Sequence, residues 1–197
     1  GAHPRQARDH GEFDPPPGHQ APGARIGGGD ALHQHRVRRF NSAGVDVVSL
    51  GVAPTPTVSF VARTGDFGLG VIISASHNPF PDNGIKLVGH NGHKLPDEVE
   101  LLIEKYMEQD CDRPTGGDIG SLTQDSSLFE PYLAYLETII PGGLNGMAVA
   151  VDGANGAAYG LGPEILRRLG AQIFQTGDKP DGVNINEFGG ATKPETI

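Results

Sequence analysis

The chain has 197 residues, of which 37% are hydrophobic, and a formal net charge of −9. That length and apolar content suffice for one good core or two small ones, while the negative balance argues against a nucleic-acid partner, whose phosphates call for clustered Lys and Arg. No apolar run approaches the roughly 20 residues that span a bilayer, the N-terminus has no apolar signal core, and the one cysteine, Cys111, can form no internal disulfide, so a cytoplasmic protein without a membrane partner is expected.

Residues 1–39 differ from the rest. They hold five of the eight histidines and no lysine, together with Pro15-Pro16-Pro17 and Gly27-Gly28-Gly29, and show no periodic apolar pattern. Such a composition is too poor in Val, Ile, Leu and Phe to offset the entropy of ordering the backbone. A disordered arm, or the product of a GC-rich gene read out of frame, is expected there. Regular sequence starts at Phe40-Asn41-Ser42. Residues 45–50 alternate as a strand, and Pro54-Thr55-Pro56 opens a helix over residues 58–63.

Leu69 to Ile73 is an apolar, β-branched run suited to a buried strand. It gives way to Ser74-Ala75-Ser76-His77-Asn78-Pro79, small polar residues and a proline that cannot continue a ladder. The carboxyl end of a strand in an open α/β sheet is where ligands bind, and Ser76 arrives there beside His77. Asp82-Asn83-Gly84 tolerates positive φ, so the chain can reverse and run back as Ile85-Lys86-Leu87-Val88, returning Lys86 toward Ser76. Turn chemistry accounts for the polarity of this stretch but not for a serine-histidine pair with a returning lysine. A serine hydrolase is disfavoured, because Gly-x-Ser-x-Gly is absent and no acid is placed to orient His77.

His90-Asn91-Gly92-His93 places two imidazoles near a hairpin tip but lacks the carboxylate or cysteine set of a zinc site, and reads as a solvated turn. Pro96 then opens a helix whose Val99, Leu102, Ile103, Tyr106 and Met107 form a one-sided stripe expected to face the core. Cys111 lies in an acidic stretch with nothing to activate it. Residues 111–125 are polar and glycine-containing, hence a loop, before a helix with Phe129, Tyr132, Leu133, Leu136 and Ile140 on one face and Pro141-Gly142-Gly143 at its end.

A second unit begins with a buried strand over 147–152. Gly153-Ala154-Asn155-Gly156-Ala157-Ala158 follows, then a helix from about Gly162 to Gly170 and a strand over 172–176, the beginning of a βαβ unit. The glycine-rich stretch could cradle a phosphate at a helix N-terminus. Its spacing is that of neither a dinucleotide nor a P-loop fingerprint, and a tight strand-to-helix turn is favoured. Arg167-Arg168 is expected on the solvated helix face. The chain thus reads as an α/β protein: a mixed-sheet domain over 40–143 and, because a crossover needs partner strands to close a sheet, an incomplete second α/β domain over 144–197.

The run from Ser74 to Pro79, with Asp82-Asn83-Gly84-Ile85-Lys86, resembles the active-site loop of the α-D-phosphohexomutases, and the resemblance extends over residues 40–197. It implies that Ser76 carries a phosphoryl group exchanged with a sugar phosphate substrate, and that His77 and Lys86 help with phosphate positioning and proton transfer. Pro180-Asp181-Gly182-Val183-Asn184-Ile185-Asn186 and the run from Gly189 to Glu195 resemble the branch that interconverts glucosamine 6-phosphate and glucosamine 1-phosphate, although Gly189 stands for that branch's cysteine and Ala191 for its serine. Relatives acting on mannose or glucose phosphates more often show Asp-Gly-x-Phe-Pro here. The resemblance further implies Mg²⁺, held by the phosphoserine oxygen of Ser76 and by three aspartates of an Asp-Gly-Asp-Gly-Asp-Arg loop that this sequence lacks. The family's early Gly-Thr-Asp-Gly-x-Arg and Gly-Arg-Asp-x-Arg motifs are also missing. The isolated chain is therefore expected to be inactive; the alternatives are a phosphomannomutase or phosphoglucomutase of the same family, or a non-catalytic remnant that binds a sugar phosphate.

Overall fold

A computed structural model describes residues 24–27 (backbone only), 37–109, 112–191, 193 and 195. Cys111 lies outside the described residues. The first unit comprises β1 (Ala24–Gly27), the described part of α1 (37–41), β2 (Val47–Gly51), α2 (Thr55–Thr64), β3 (Leu69–Ile73), β4 (Ile85–Gly89), α3 (Asp97–Met107), β5 (Leu122–Gln124) and α4 (Phe129–Ile139). Its five strands form one sheet in the order β4-β3-β1-β2-β5. β1, β2, β3 and β5 run parallel and β4 pairs antiparallel to β3, with Ile73 opposite Ile85 and Ile72 opposite Lys86. The second unit holds β6 (Ala148–Asp152), α5 (Leu161–Arg168) and β7 (Gln172–Thr176), whose two strands pair in parallel. This is the mixed α/β architecture that the sequence pattern gives.

Strand β3 is apolar throughout because both of its faces are covered. Ile72 packs with Val58, Val61 and Ala62 of α2, with Leu50 of β2 and with Val88 of β4. Val71, on the opposite face, packs with Val37 of α1 and Val47, flanked by Phe40 and Leu87. α2 starts where Pro54 takes an extended conformation and turns its Thr57, Val58, Val61 and Ala62 face inward. Phe60 meets Tyr132 and Tyr135 of α4 at ring-centroid distances of 5.3 and 5.2 Å, which fixes α4 beside α2.

Five expectations are corrected, the first being the buried strand over 147–152: β6 has no buried residue and Met147 is 52% exposed, because β7 is its single partner strand among the described residues. The structureless arm over 1–39 does not hold at its described residues: β1 sits between β2 and β3 in the middle of the sheet, and Val37 is only 1% exposed. A four-residue strand hydrogen-bonded on both sides draws its order from its neighbours, a contribution that average composition does not carry. The supposed loop over 111–125 contains β5, paired to β2 from Val47↔Leu122 to Ser49↔Gln124. The apolar stripe of α3 is not core, since Leu102, Tyr106 and Met107 are 46, 62 and 75% exposed and no residue of that helix is buried. Amphipathic spacing shows that a helix has an apolar side, not what covers it. Finally, Arg168 is not merely solvated: its guanidinium forks onto Glu130 of α4 at 2.6 and 2.9 Å and bonds Glu164 at 3.0 Å, tying α5 to α4.

At the β2–β5 edge, one carboxylate oxygen of Asp46 accepts both the backbone N–H and the hydroxyl of Ser121 at 2.7 Å. These two bonds hold the Asp46 carboxyl below its ordinary value of 3.8. A carboxyl depressed in the folded state contributes stability that is present above its unfolded pKa and lost as pH falls through the folded one. The difference in urea midpoint between the wild type and Asp46→Ala should therefore be full at neutral pH and shrink steadily below about pH 4.

Candidate active site

The chain order sets the place of the site. β1 leads through α1 to β2 on one side, and β2 leads through α2 to β3 on the other. Successive connections thus diverge between β1 and β3, and the carboxyl ends of strands at such a divergence leave a crevice open to ligands. β3 delivers its carboxyl end there, and Ser76 follows Ile73 by three residues.

The turn exposes Ser76 rather than tucking it away. Its φ is +63°, in the left-handed region that a serine enters only under constraint, at a cost of roughly 1 kcal/mol. The constraint comes from Ser74, whose hydroxyl accepts the Ser76 N–H at 3.0 Å, and from the N–H of Ser74, which reaches back to the Gly84 carbonyl at 2.9 Å. Gly84 must be glycine: a Cβ there would lie 2.8 Å from the Ser74 carbonyl oxygen. Asn78 donates to the Asp82 carboxylate at 3.0 Å, closing the outer part of the loop. The result leaves the Ser76 Oγ 3.3 Å from His77 Nδ1, with both side chains facing solvent.

The structure brings Ser76 and His77 together but does not place Lys86 on them. Lys86 lies on β4 opposite Ile72, exposed, and its side chain makes no hydrogen bond or ion pair among the described residues. His90 and His93 stay at the solvent-facing turn. Among the described residues no three or more His, Cys, Asp or Glu side chains gather to hold a metal.

The glycine-rich turn after β6 is a structural corner. Ala154 and Asn155 have φ of +50° and +51°, and their N–H groups go to the Asp152 carboxylate at 2.8 Å and the Gly177 carbonyl at 2.7 Å. Gly156 donates to the Gly153 carbonyl, and a Cβ on Gly153 would sit 2.6 Å from the Gly177 oxygen. With these amides used internally, the tight-turn reading prevails over a phosphate cradle. A shallow cavity of about 260 Å³ lies beside this corner, between Asp152, Asn155, Lys179 and Phe188.

Among the described residues, a side-chain hydrogen bond crosses from the second unit to the serine turn. The Asn186 side-chain amide donates to the His77 carbonyl at 2.8 Å, although the two residues are 109 positions apart. Sequence reading missed it. Its one local sign is that asparagine suits the left-handed conformation, which Asn186 adopts with φ +58°.

The chain is an α/β protein whose mixed sheet holds Ser76 at positive φ at its diverging point, with the side chain exposed. The family described as phosphoglucomutase/phosphomannomutase, alpha/beta/alpha domain I, matches residues 27–113. A phosphoglucosamine mutase of Thermobifida fusca is 48% identical over 169 residues, covering 86% of this chain and 38% of that protein. One of a Nocardioides species is 45% identical over 193 residues, covering 95% and 42%. A solved structure from Thermus thermophilus, named for phosphomannomutase, superposes with a TM-score of 0.71 at 22% identity, over 89% of this chain and 41% of that one. A phosphoglucomutase/phosphomannomutase family protein of Burkholderia thailandensis gives 0.61 at 24% identity, over 81% and 37%. The chain belongs to the α-D-phosphohexomutase family. It spans about two fifths of the length of these curated relatives.

Proposed function

We propose that this chain is the phosphoryl-carrying part of a phosphoglucosamine mutase, with the serine turn in the unit ending at residue 143 and a second domain beginning at 144. The observation that supports it is the exposed Ser76, strained to φ +63° at the diverging point of the sheet with His77 Nδ1 3.3 Å from its hydroxyl. A hydroxyl of the sugar phosphate attacks the phosphorus of phosphorylated Ser76. The Oγ–P bond breaks as the sugar O–P bond forms; the attacking hydroxyl gives its proton to water, and the departing Ser76 Oγ takes one from the neighbouring His77, a transfer that runs in reverse when Ser76 is rephosphorylated. The bisphosphate so formed returns its other phosphoryl group to Ser76, completing the exchange of glucosamine 6-phosphate with glucosamine 1-phosphate.

A phosphoserine bears about −1.5 to −2 charges near neutral pH, so a cation beside it lowers the barrier to transfer. Lys86, on the strand that returns from the same turn, is assigned that role. A divalent ion such as Mg²⁺ would neutralise the phosphoryl oxygens, with phosphorylated Ser76 as one ligand. The described carboxylates and imidazoles do not gather into a set that fits it.

The identity of 43 to 48% to phosphoglucosamine mutases favours glucosamine over mannose or glucose. In the complete enzyme carrying this segment, kcat/KM for glucosamine 1-phosphate should exceed that for mannose 1-phosphate and glucose 1-phosphate by about 10²-fold or more, as expected where a buried polar group is matched by one substrate and not another. A coupled assay with equal or reversed values would remove the glucosamine assignment.

A further inference from the structure

We propose that Asn186 is a positioning residue that holds the serine turn in its reactive conformation, an inference that rests on Ser76 being the phosphoryl carrier. The His77 carbonyl that accepts the Asn186 amide at 2.8 Å belongs to the residue immediately after Ser76, so the bond acts on the backbone that fixes where the Ser76 hydroxyl points. Within the first unit, the turn is held by the Ser74 hydroxyl on the Ser76 N–H and by the Ser74–Gly84 bond, both on its inner side. Asn186 grips it from outside, through the second unit.

The grip is itself anchored. The Asn186 N–H donates to the Ala154 carbonyl at 2.9 Å, and its own carbonyl accepts Lys193 Nζ at 3.2 Å. Asp152 stands behind both flanks, accepting the Ala154 N–H at 2.8 Å on one oxygen and the Gly190 N–H at 2.6 Å on the other. The chain from the end of β6 to the serine turn is thus Asp152, Ala154, Asn186 and His77. Three of the residues along this path or at its end, Ala154, Asn186 and Ser76, hold φ between +50° and +63°. A non-glycine residue stays in that region only where surrounding bonds over-determine it. The tight turn after β6 therefore has a use besides chain reversal: it presents Asn186 to the serine loop. Transfer requires the oxygen and phosphorus to meet near attack distance, so losing this bond should lower the fraction of turns poised to react, without altering how the sugar binds.

Two substitutions separate the donor from the backbone. Asn186→Gly keeps the left-handed conformation and removes the amide; Asn186→Asp keeps shape and conformation but cannot donate when ionised. A neutral hydrogen bond of this exposure corresponds to a change of about 3- to 10-fold. Both variants of the complete enzyme should lose kcat by about that factor, Asn186→Asp the more, with KM within about twofold. Deuterium exchange across residues 76–79 should quicken by a similar factor. Lys94→Met, which removes an exposed ion pair with Asp97 inside the first unit and touches neither the relay nor the contact between the units, should leave the exchange of residues 76–79 unchanged. Unaltered exchange and kcat in both Asn186 variants, or a rise in KM alone, would overturn the proposal. Phosphopeptide mapping of the wild type separates the two claims: phosphate absent from Ser76 would refute the carrier assignment, whereas phosphate on Ser76 with unaffected variants would refute the role of Asn186.

Discussion

Ser76→Ala, in the complete mutase that carries this segment, is expected to lower turnover by about 10⁴-fold or more, the scale on which removal of a covalent nucleophile acts. The expectation follows from where the oxygen sits. Ser76 Oγ is exposed at the end of β3, and the neighbouring hydroxyl of Ser74 is already engaged in accepting the Ser76 N–H. Ser74 therefore cannot take over the phosphoryl group without giving up the bond that shapes the turn. Alanine also has to occupy φ +63°, so Ser76→Gly is the companion variant: it tolerates that conformation and lacks the oxygen. Equal loss in both assigns the effect to the hydroxyl and not to backbone strain. Steady-state turnover of glucosamine 1-phosphate measures it, and retention of more than about a hundredth of wild-type kcat by either variant would contradict the assignment.

Lys86→Ala should produce a loss of a different kind. The carrier oxygen remains, so the protein should still hold phosphate on Ser76, while transfer slows by about 10²- to 10³-fold, the range seen when one group stabilising transferring charge is removed. Lys86 is the second residue of β4, the strand that returns from the turn and begins with Ile85 opposite Ile73. Its ammonium is committed to no ion pair among the described residues, so it is available to a phosphate. Arginine at this position would keep the charge but present a planar fork in place of a compact ammonium, and should recover activity only in part. Single-turnover phosphoryl transfer from prephosphorylated enzyme distinguishes the cases: slow transfer from a fully phosphorylated variant supports the role, and absence of phosphate on Lys86→Ala would instead give Lys86 a part in loading.

The serine turn was legible in the sequence because its information is local. A β-branched run, a proline that ends it and an Asp-Asn-Gly reversal fix strand, turn and returning strand within about 20 residues, and β3 and β4 form where that pattern puts them. Helix α2 was legible through the prolines that open it and α4 through the apolar residues that share one face. What escaped was non-local. β1 and β5 have four and three residues, too few to show alternation, and exist because neighbouring strands pair with them. The stripe on α3 has the period of a buried helix yet no described element covers it, since period reports amphipathicity and not packing partners. The Arg168–Glu130 fork and the Asn186–His77 bond join residues 38 and 109 positions apart. No local pattern encodes them.

The most direct test of the carrier assignment is tandem mass spectrometry of the protein as purified and after exposure to a glucosamine bisphosphate. One phosphoryl group should be found, on Ser76, with Ser74 and every other hydroxyl in the turn unmodified. Phosphate on Ser74 with Ser76 bare, or substrate turnover by a protein that never carries phosphate on Ser76, would contradict it.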